Sequence, residues 1–201
     1  MARTGSRKRG ARYAFHPLTP DRWDDLARLF GPKGACGGCW CMWWRAAPAD
    51  FRAGRSGGNR RAFRALVRSG AEPGVLAYEG DEPVGWCAIA PREAYPRLAR
   101  SRVMAPVDEQ PVWSVTCFYV DREHRGRGLT VALLDAAARF AAERGARIVE
   151  GYPTEPGAHQ PDVFVYTGVA SAFQAAGFDE VARRSPHRPV MRRAVRKPRS
   201  R

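Results

Sequence analysis

The most informative short segment is the run Arg125-Gly126-Arg127-Gly128-Leu129-Thr130, which joins an apolar stretch to an amphipathic one. Residues 112–120 are rich in β-branched and aromatic types and predict a strand, and 131–144 carry apolar residues at helical spacing. Glycines at such a junction let successive backbone N–H groups face one point, where the helix N-terminus adds unpaired donors and partial positive charge. The run predicts a phosphate or pyrophosphate cradle, unless it is only a tight connection.

The same run differs from two common nucleotide-binding sequences. It lacks the Lys-[Ser/Thr] pair of a Walker sequence. It also comes late in the chain, after at least three strands that are predicted to be antiparallel. These features argue against an NTPase and against a dinucleotide-binding fold.

Five cysteines form a second group with chemical potential. Cys36, Cys39 and Cys41 lie close together, whereas Cys87 and Cys117 lie in apolar runs that predict strands. An odd number of cysteines without a secretory signal favours reduced thiols. Three thiols could bind zinc, but a structural site needs four ligands, and no second Cys or His pair supplies the fourth. A redox or nucleophilic thiol stays open, and we expect a tight Gly-Cys turn that lines a pocket or the core, with no metal.

The charge of the chain is concentrated at its ends. The 201 residues include 34 Lys and Arg against 20 Asp and Glu, a formal net charge of +14. Residues 1–12 and 192–201 hold eleven of these basic residues and no acid, which leaves 23 basic against 20 acidic residues between them. Such runs usually stay solvated. We expect disordered basic tails at 1–12 and 194–201, a single domain at 13–193, and contact with nucleic acid, if any, through the tails.

The overall composition is that of a globular protein. Hydrophobic residues make up 44% and charged residues 27%, which excludes full-length disorder and a fibrous rod. No apolar run reaches the roughly 18 residues of a membrane span, and no apolar signal segment follows the basic start. We therefore expect a cytoplasmic protein without a membrane partner, and a homodimer stays open.

The predicted elements alternate between strands and helices and include no repeat or interdomain linker. Apolar runs predict strands at 13–18, 74–78, 83–90, 112–120, 148–152, 178–184 and 189–193. Helical spacing predicts helices at 60–67, 131–144 and 169–176, and an earlier one that carries Trp23, Leu26, Leu29 and Phe30. A turn at 79–82 predicts a hairpin, and Gly177 predicts a helix C-cap. The fold class is α/β.

The segment VDREHRGRGLT, from Val120 to Thr130, resembles the acyl-CoA-binding motif of the GNAT (Gcn5-related) N-acetyltransferases, R/Q-x-x-G-x-G/A. Arg125 matches the first position and Gly128 the central glycine, whereas Thr130 stands where Gly or Ala is usual. The order of elements from Tyr13 to Arg193 and the closing F-x-x-A-GF at 173–178 also fit. GACGGCWCMWWR, VWSVTCFYV and EGYP are similar to a bacterial subgroup of unassigned substrate. The resemblance implies the GNAT fold, a mixed, mostly antiparallel sheet of six to seven strands flanked by helices, with a splayed central strand pair.

The resemblance also implies how acetyl-CoA binds. Backbone groups of Phe118, Tyr119 and Val120 would pair with the pantetheine arm, which would lie like an extra strand in the splayed pair. Backbone amides would hold the pyrophosphate, and they belong to Arg125, Gly126, Arg127, Gly128, Leu129 and Thr130. The Arg127 side chain could equally be a solvated turn residue. An amine of a small molecule, or of a protein, would attack the acetyl carbonyl directly, and the CoA thiolate would leave and take up a proton.

The proton donor is the point at which the chain departs from the family. The usual donor is a Tyr in the short helix before the Gly-Phe pair, and here that position is Phe173, which has no proton to give. Tyr166, just before the same helix, is the leading alternative, and Ser171, Tyr119 or solvent are weaker ones. Each of these residues could instead be structural.

The leading candidate for the base is Glu150, an acid within an apolar strand that should border the acyl site. The alternative is an outward-facing strand residue or a salt-bridge partner. Glu155, His159 and Asp162, in the loop that follows, could relay a proton or contact the substrate.

Acceptor recognition in this architecture usually involves the first two helices and the loops near the acyl end. Cys41, Trp43 and Trp44 lie there and are the predicted substrate-contacting residues. Indoles can form a flat apolar wall or a cation–π cage for an ammonium group, although a core role is the alternative.

Two other functions stay open. Phe173 and Thr130 depart from the family's usual residues, which fits a catalytically degenerate domain that binds acyl-CoA as a sensor or structural module. The basic tails fit a nucleic-acid-associated modifier that uses them for electrostatic contact.

Overall fold

The computed structural model describes residues 13–155 and 165–197. The strands are β1 (Tyr13–Pro17), β2 (Gly74–Glu79), β3 (Glu82–Pro91), β4 (Trp113–Val120), β5 (Ile148–Gly151), β6 (Asp179–Arg183) and β7 (Pro189–Ala194). The α-helices are α1 (Trp23–Phe30), α2 (Pro48–Ala53), α3 (Gly58–Arg68), α4 (Pro96–Ala99), α5 (Leu129–Glu143) and α6 (Ala170–Ala175).

The strands form one seven-stranded sheet in the order β1-β2-β3-β4-β5-β7-β6. Neighbours pair antiparallel except for β4 and β5, which run parallel and are joined through α5. A mixed, mostly antiparallel sheet of seven strands flanked by helices confirms the predicted fold class.

Helices cover both faces of the sheet, because each presents an apolar stripe to it. On one face, α5 buries Leu133, Leu134, Ala137, Phe140 and Ala141, the residues at predicted helical spacing. On the other face, α1 and α3 bury a second cluster that includes Trp23, Leu26, Phe30, Phe63 and Val67. In the described part of the chain, no helix has both the length and the apolar character needed to cross a membrane.

The observed boundaries differ from the predicted ones mainly at element ends. The strand and hairpin predictions are confirmed within a residue or two, whereas α2 and α4 were not predicted, because both are short, begin at a proline and show no periodic apolar pattern. β7 extends to Ala194, and the Val195 N–H donates to the Arg147 carbonyl at 2.8 Å. The predicted tail at 1–12 and residues 198–201 lie outside the described residues.

Candidate functional site

The parallel strands β4 and β5 separate after a short paired stretch. They pair over three residues, from Trp113 opposite Val149 to Val115 opposite Gly151. β5 ends at Gly151, whereas β4 continues to Val120. The second half of β4 therefore faces a gap in the sheet.

A loop that leads into α6 reaches this gap. The backbone N–H of Phe118 donates to the carbonyl of Tyr166 at 2.6 Å. Two residues further along this loop, the Gly168 carbonyl accepts a second hydrogen bond, from the N–H of Thr154 at 2.9 Å. Gly168 has φ +87°, and a Cβ there would lie 2.8 Å from the ring of Phe173. The predicted donor-binding residue Phe118 and the predicted acid Tyr166 are thus in direct contact.

A β-bulge lies at the closed end of the gap. Ala88 pairs with Cys117 and the next residue of β3 pairs with Val115, so Thr116 is the extra residue of β4. After the bulge, the Cys117 side chain packs on the same side of the sheet as α1 and α3. Cys117 therefore lies beside the gap on the side where the acceptor is predicted to bind.

Beyond the gap, β4 leads to the glycine turn. Gly126 and Gly128 have φ +71° and +79°, and no described atom lies within 4 Å of a Cβ built at either position. Gly128 is the N-cap of α5, and no described side chain caps this helix end, so the first-turn N–H groups lack the usual side-chain acceptor. The turn borders a hollow of about 260 Å³. The lining residues are Val120, His124, Arg125, Gly126, Gly128, Leu129, Thr130, Val131 and Ala172.

The side chains of the turn take different positions around this hollow. Arg125 is exposed, and its Nε donates to the Val120 carbonyl at 3.2 Å. Leu129 is buried in the core, so it can offer the hollow its backbone N–H. Arg127 is exposed and does not belong to the lining. The structure brings the other predicted cradle residues to one place.

Phe173, which replaces the usual tyrosine, is a core residue. Its side chain is fully buried, and its ring packs edge-on against Phe118 and Phe178, with centroid distances of 6.1 and 5.0 Å. A Cβ at Gly151 would collide with the same ring. The position therefore contributes to packing between β5 and α6.

Tyr166 is half-buried at the mouth of the gap. Burial raises the pKa of its phenol to about 12, and Cys117, Arg188, Cys39 and Arg97 are close enough to act on it electrostatically. The weaker predicted donors lie elsewhere: Ser171 is exposed, and the Tyr119 ring packs on Phe30 with a centroid distance of 5.5 Å.

Glu150 lies in a buried ion-pair network. Its side chain has no exposed surface, Arg92 Nη1 lies 3.0 Å from Oε1 and Arg192 Nε lies 2.7 Å from Oε2. The Tyr152 hydroxyl also donates to Oε1 at 2.6 Å. Both oxygens therefore already accept hydrogen bonds, as a carboxylate buried this deeply requires. The prediction that Glu150 is the base stays a prediction, and its contacts favour a role in holding β5.

The remaining loop candidates are separate from this network. Glu155 forms an ion pair with Arg183 at 2.7 Å, and the hydrogen bond from Arg183 holds the pKa of the Glu155 carboxyl below its usual value. His159 and Asp162 lie outside the described residues.

Cys41 is buried beside the bulge in an unusual backbone conformation. Trp40 and Cys41 have φ +45° and +55°, a region that side chains other than glycine occupy at a cost. The neighbouring Cys117 thiol, a hydrogen bond from Trp86 Nε1, 3.1 Å from the sulfur, and the charge of Arg45 together outweigh burial and lower the pKa of Cys41. Burial raises the pKa of the neighbouring Cys39 to about 11. In the described parts of the chain, no group of three or more His, Cys, Asp or Glu side chains could hold a metal ion.

The two predicted substrate tryptophans are exposed to different degrees. Trp44 is 8% exposed and packs with Tyr95, Leu98 and Tyr152. Trp43 is 38% exposed, but the Arg97 guanidinium lies 4.0 Å from the centroid of its ring. A cation of the protein itself therefore occupies a face of the indole that was predicted to hold an ammonium group.

Three arginines near the gap were not predicted. Arg45 Nη2 donates to the Tyr95 hydroxyl at 3.1 Å, Arg97 Nε to the Ala46 carbonyl at 2.9 Å and Arg188 Nη1 to the Tyr152 carbonyl at 3.0 Å. The arginines come from three distant segments without regular patterning, so no local sequence signal groups them.

Comparisons with known proteins agree with this geometry. Residues 40–163 match the model of the acetyltransferase (GNAT) family. An acetyltransferase of the GNAT family from Streptococcus agalactiae has a similar structure, with a TM-score of 0.54 and 12% identity over 92% of this chain and 96% of that one. The PaiA N-acetyltransferase from Thermoplasma acidophilum, solved in complex with coenzyme A, has a TM-score of 0.51 and 11% identity over 91% of this chain and 99% of that one. No curated protein matches the sequence.

The family match covers more than half of the chain, and the sheet with its splayed parallel pair and glycine turn is the arrangement that the motif implied. The chain belongs to the GNAT family of acetyltransferases.

Proposed function

We propose that the protein transfers an acetyl group from acetyl-CoA to the primary amine of a small molecule, by direct attack and without a covalent acyl-enzyme. The observation that carries this proposal is the gap between β4 and β5, where residues 118–120 have no described strand paired on the β5 side and the Phe118 N–H donates to the loop carbonyl of Tyr166. A pantetheine arm has amide groups that suit such a position, because an added strand pairs through main-chain hydrogen bonds.

The glycine turn fits the pyrophosphate of the same donor. Two glycines and the N-terminus of α5, which no described side chain caps, provide backbone donors and positive potential for an anion in the adjacent hollow. Arg125 lines the same hollow and adds a guanidinium charge. Acetyl-CoA would thus be held mainly through main-chain groups.

Tyr166 is the proposed proton donor to the leaving thiolate. Its raised pKa keeps the phenol protonated at neutral pH, and its backbone already contacts β4 in the gap. The role of Glu150 as base belongs to the same proposal, with the alternative that it positions the end of β5 through Arg92 and Arg192.

The test combines calorimetry with acetyl-CoA and an assay of CoA thiol release across a panel of primary amines. Saturable binding together with amine-dependent release supports the proposal. Absence of acetyl-CoA binding at high micromolar concentration overturns it.

Binding without release by any amine would instead support a sensor or structural module. The specific observation in favour of that alternative is Phe173, which is fully buried where the family usually supplies its proton donor.

A further inference from the structure

Three half-buried arginines beside the gap have no acidic partner within the described residues. Arg45, Arg97 and Arg188 bind only neutral groups, namely a tyrosine hydroxyl, a threonine hydroxyl and backbone carbonyls. By contrast, the nearby Arg92 and Arg192 pair with carboxylates. A guanidinium that is partly withdrawn from water is stabilised by an anionic hydrogen-bond partner, and the first three arginines have none among the described residues.

Each of these arginines interacts with an aromatic residue of the same apolar cluster. Arg97 and Arg188 both act on the phenol of Tyr166, whose carbonyl contacts β4 in the gap. The Arg45 guanidinium lies 4.5 Å from the centroid of the Tyr95 ring, and Tyr95 and Tyr166 pack in one apolar cluster with Trp44. The charges therefore lie on the side of the gap where the acceptor is predicted to bind.

Three N–H donors in this group are buried without a hydrogen-bond partner. They are Arg45 Nε, Arg97 Nη2 and Trp44 Nε1, and none of them has an acceptor among residues 13–155 and 165–197. Trp44 as a whole is 92% buried, since 8% of its surface is exposed. An unsatisfied buried donor destabilises the folded state, and three of them beside one site indicate a ligand with several acceptor atoms.

The electrostatics of the arginines support this conclusion. Burial lowers the pKa of Arg97 and of Arg188. Burial acts in the same direction on Arg192, but hydrogen bonds to Asp108 and Glu150 raise its pKa overall. Unlike Arg192, neither Arg97 nor Arg188 has a carboxylate among its described hydrogen-bond partners, and the neighbouring Arg52 and Arg100 lower the pKa of Arg97 further.

We infer that the acceptor is a small amine that also carries a carboxylate, and that Arg45 and Arg97 bind this carboxylate beside the gap. The inference rests on the proposed acetyl transfer and names its substrate class. A guanidinium matches the planar geometry of a carboxylate with two parallel hydrogen bonds, and the Trp44 indole N–H supplies a further donor. With the carboxylate held there, the amino group at the other end of the molecule can face the bulge of β4.

The experiment compares amino acids with their amides, for example phenylalanine with phenylalaninamide and glycine with glycinamide, in the CoA-release assay. We expect the acids to be preferred by about 10- to 100-fold in kcat/KM, the effect of one or two charge-assisted hydrogen bonds. This comparison needs no variant and so does not depend on any variant folding. Equal rates for acid and amide would overturn the inference while leaving the acetyltransferase function intact.

Variants then locate the site. Arg45→Gln and Arg97→Gln should each remove most of the preference for the acid and leave acetyl-CoA binding unchanged. Arg100→Gln is the matched control, because this exposed arginine loses the same charge close to Arg97. If Arg100→Gln has the same effect as Arg97→Gln, the preference for the acid arises from the overall positive potential of this surface, and the assigned site is wrong.

Calorimetry with the amino acid alone separates the two proposals. If acetyl-CoA fails to bind, the proposed function fails and the acceptor role of the site fails with it, even if the free protein binds the acid and not the amide. If acetyl-CoA binds and the acid binds in preference to the amide, the inference is supported. The inference fails, and the proposed function stands, if acetyl-CoA binds but the protein binds the acid and the amide equally. The same conclusion holds if acetyl-CoA binds but neither amino compound binds to the free protein or to its CoA complex.

Discussion

The carbonyl oxygen of Tyr166 accepts the N–H of Phe118 across the gap, at 2.6 Å. This is the amide to which the proposed donor arm would bind, so the loop and the arm compete for one hydrogen bond. We therefore expect donor binding to displace the Tyr166 carbonyl from β4.

Hydrogen exchange can detect this displacement. We expect acetyl-CoA to speed exchange in peptides that cover 165–168, because the turn in which the Gly168 N–H donates to Val165 would open. Peptides from β6 and β7 should not change. Unchanged or slower exchange in the loop would mean that the donor arm and the loop contact coexist.

Tyr166→Phe tests the proposed proton donor while retaining the backbone contact. We expect kcat to fall by about 100-fold, the lower end of general acid catalysis, with little change in acetyl-CoA affinity. Because the pKa of Tyr166 is raised to about 12, its proton is lost only as pH rises toward that value, so Tyr166 should cause no loss of rate in the neutral and mildly alkaline range. Tyr13→Phe, which removes a hydroxyl from β1, is the control. A full wild-type rate in Tyr166→Phe would assign the proton to solvent or another group.

Gly128→Ala tests the phosphate cradle and has a close match in Gly80→Ala. Both glycines have positive φ, +79° and +61°, and no described atom lies within 4 Å of a Cβ at either. Each substitution should therefore cost a similar strain, about 1–2 kcal/mol. We expect Gly128→Ala alone to weaken acetyl-CoA binding, by about tenfold for one disturbed charge-assisted hydrogen bond. Equal affinity in the two variants would contradict an anion site at the turn.

Phe173→Tyr places the family's usual residue in this chain. The ring is fully buried between Phe118 and Phe178, so we expect the added hydroxyl to lower the free energy of unfolding by about 1–3 kcal/mol, without a gain in kcat. Urea unfolding and the CoA-release assay measure the two effects. A higher kcat in Phe173→Tyr would show that this position can reach the thioester.

Glu150→Gln distinguishes a base from a structural carboxylate. Removing the charge leaves Arg92 and Arg192 without a shared partner inside the protein, and we expect a loss of about 3–5 kcal/mol of unfolding free energy. Glu155→Gln, which disrupts the exposed pair with Arg183, should change stability little. A Glu150→Gln protein that keeps wild-type stability but loses its pH-dependent rate would instead identify Glu150 as the base.

The regular elements were predictable because their signals are local. The buried face of α5 follows from apolar residues at helical spacing, and β4 from an unbroken β-branched and aromatic run. The glycine turn could be placed because it lies between these two elements. The sequence also showed that Phe173 replaces the tyrosine usual in the family. It did not show that the Phe173 ring lies in the core.

The acceptor side could not be predicted in the same way. Trp43 and Trp44 are neighbours in sequence but differ in exposure, and they lie in an irregular segment where no periodic pattern indicates which side chain is buried. Arg45, Arg97 and Arg188 converge only through the tertiary fold. Among the residues that the structure describes, they have no acidic partner, and this depends on three-dimensional neighbours, which the sequence does not display.

The parallel pair that opens after Val115 has a consequence for how such a protein can diversify. The proposed donor site is built from main-chain groups of β4 and the glycine turn, whereas the proposed acceptor site is built from side chains on separate loops. Substitutions in those loops can change the accepted amine without disturbing the backbone that holds the donor. One acyl donor and many acceptors are therefore compatible with a single sheet.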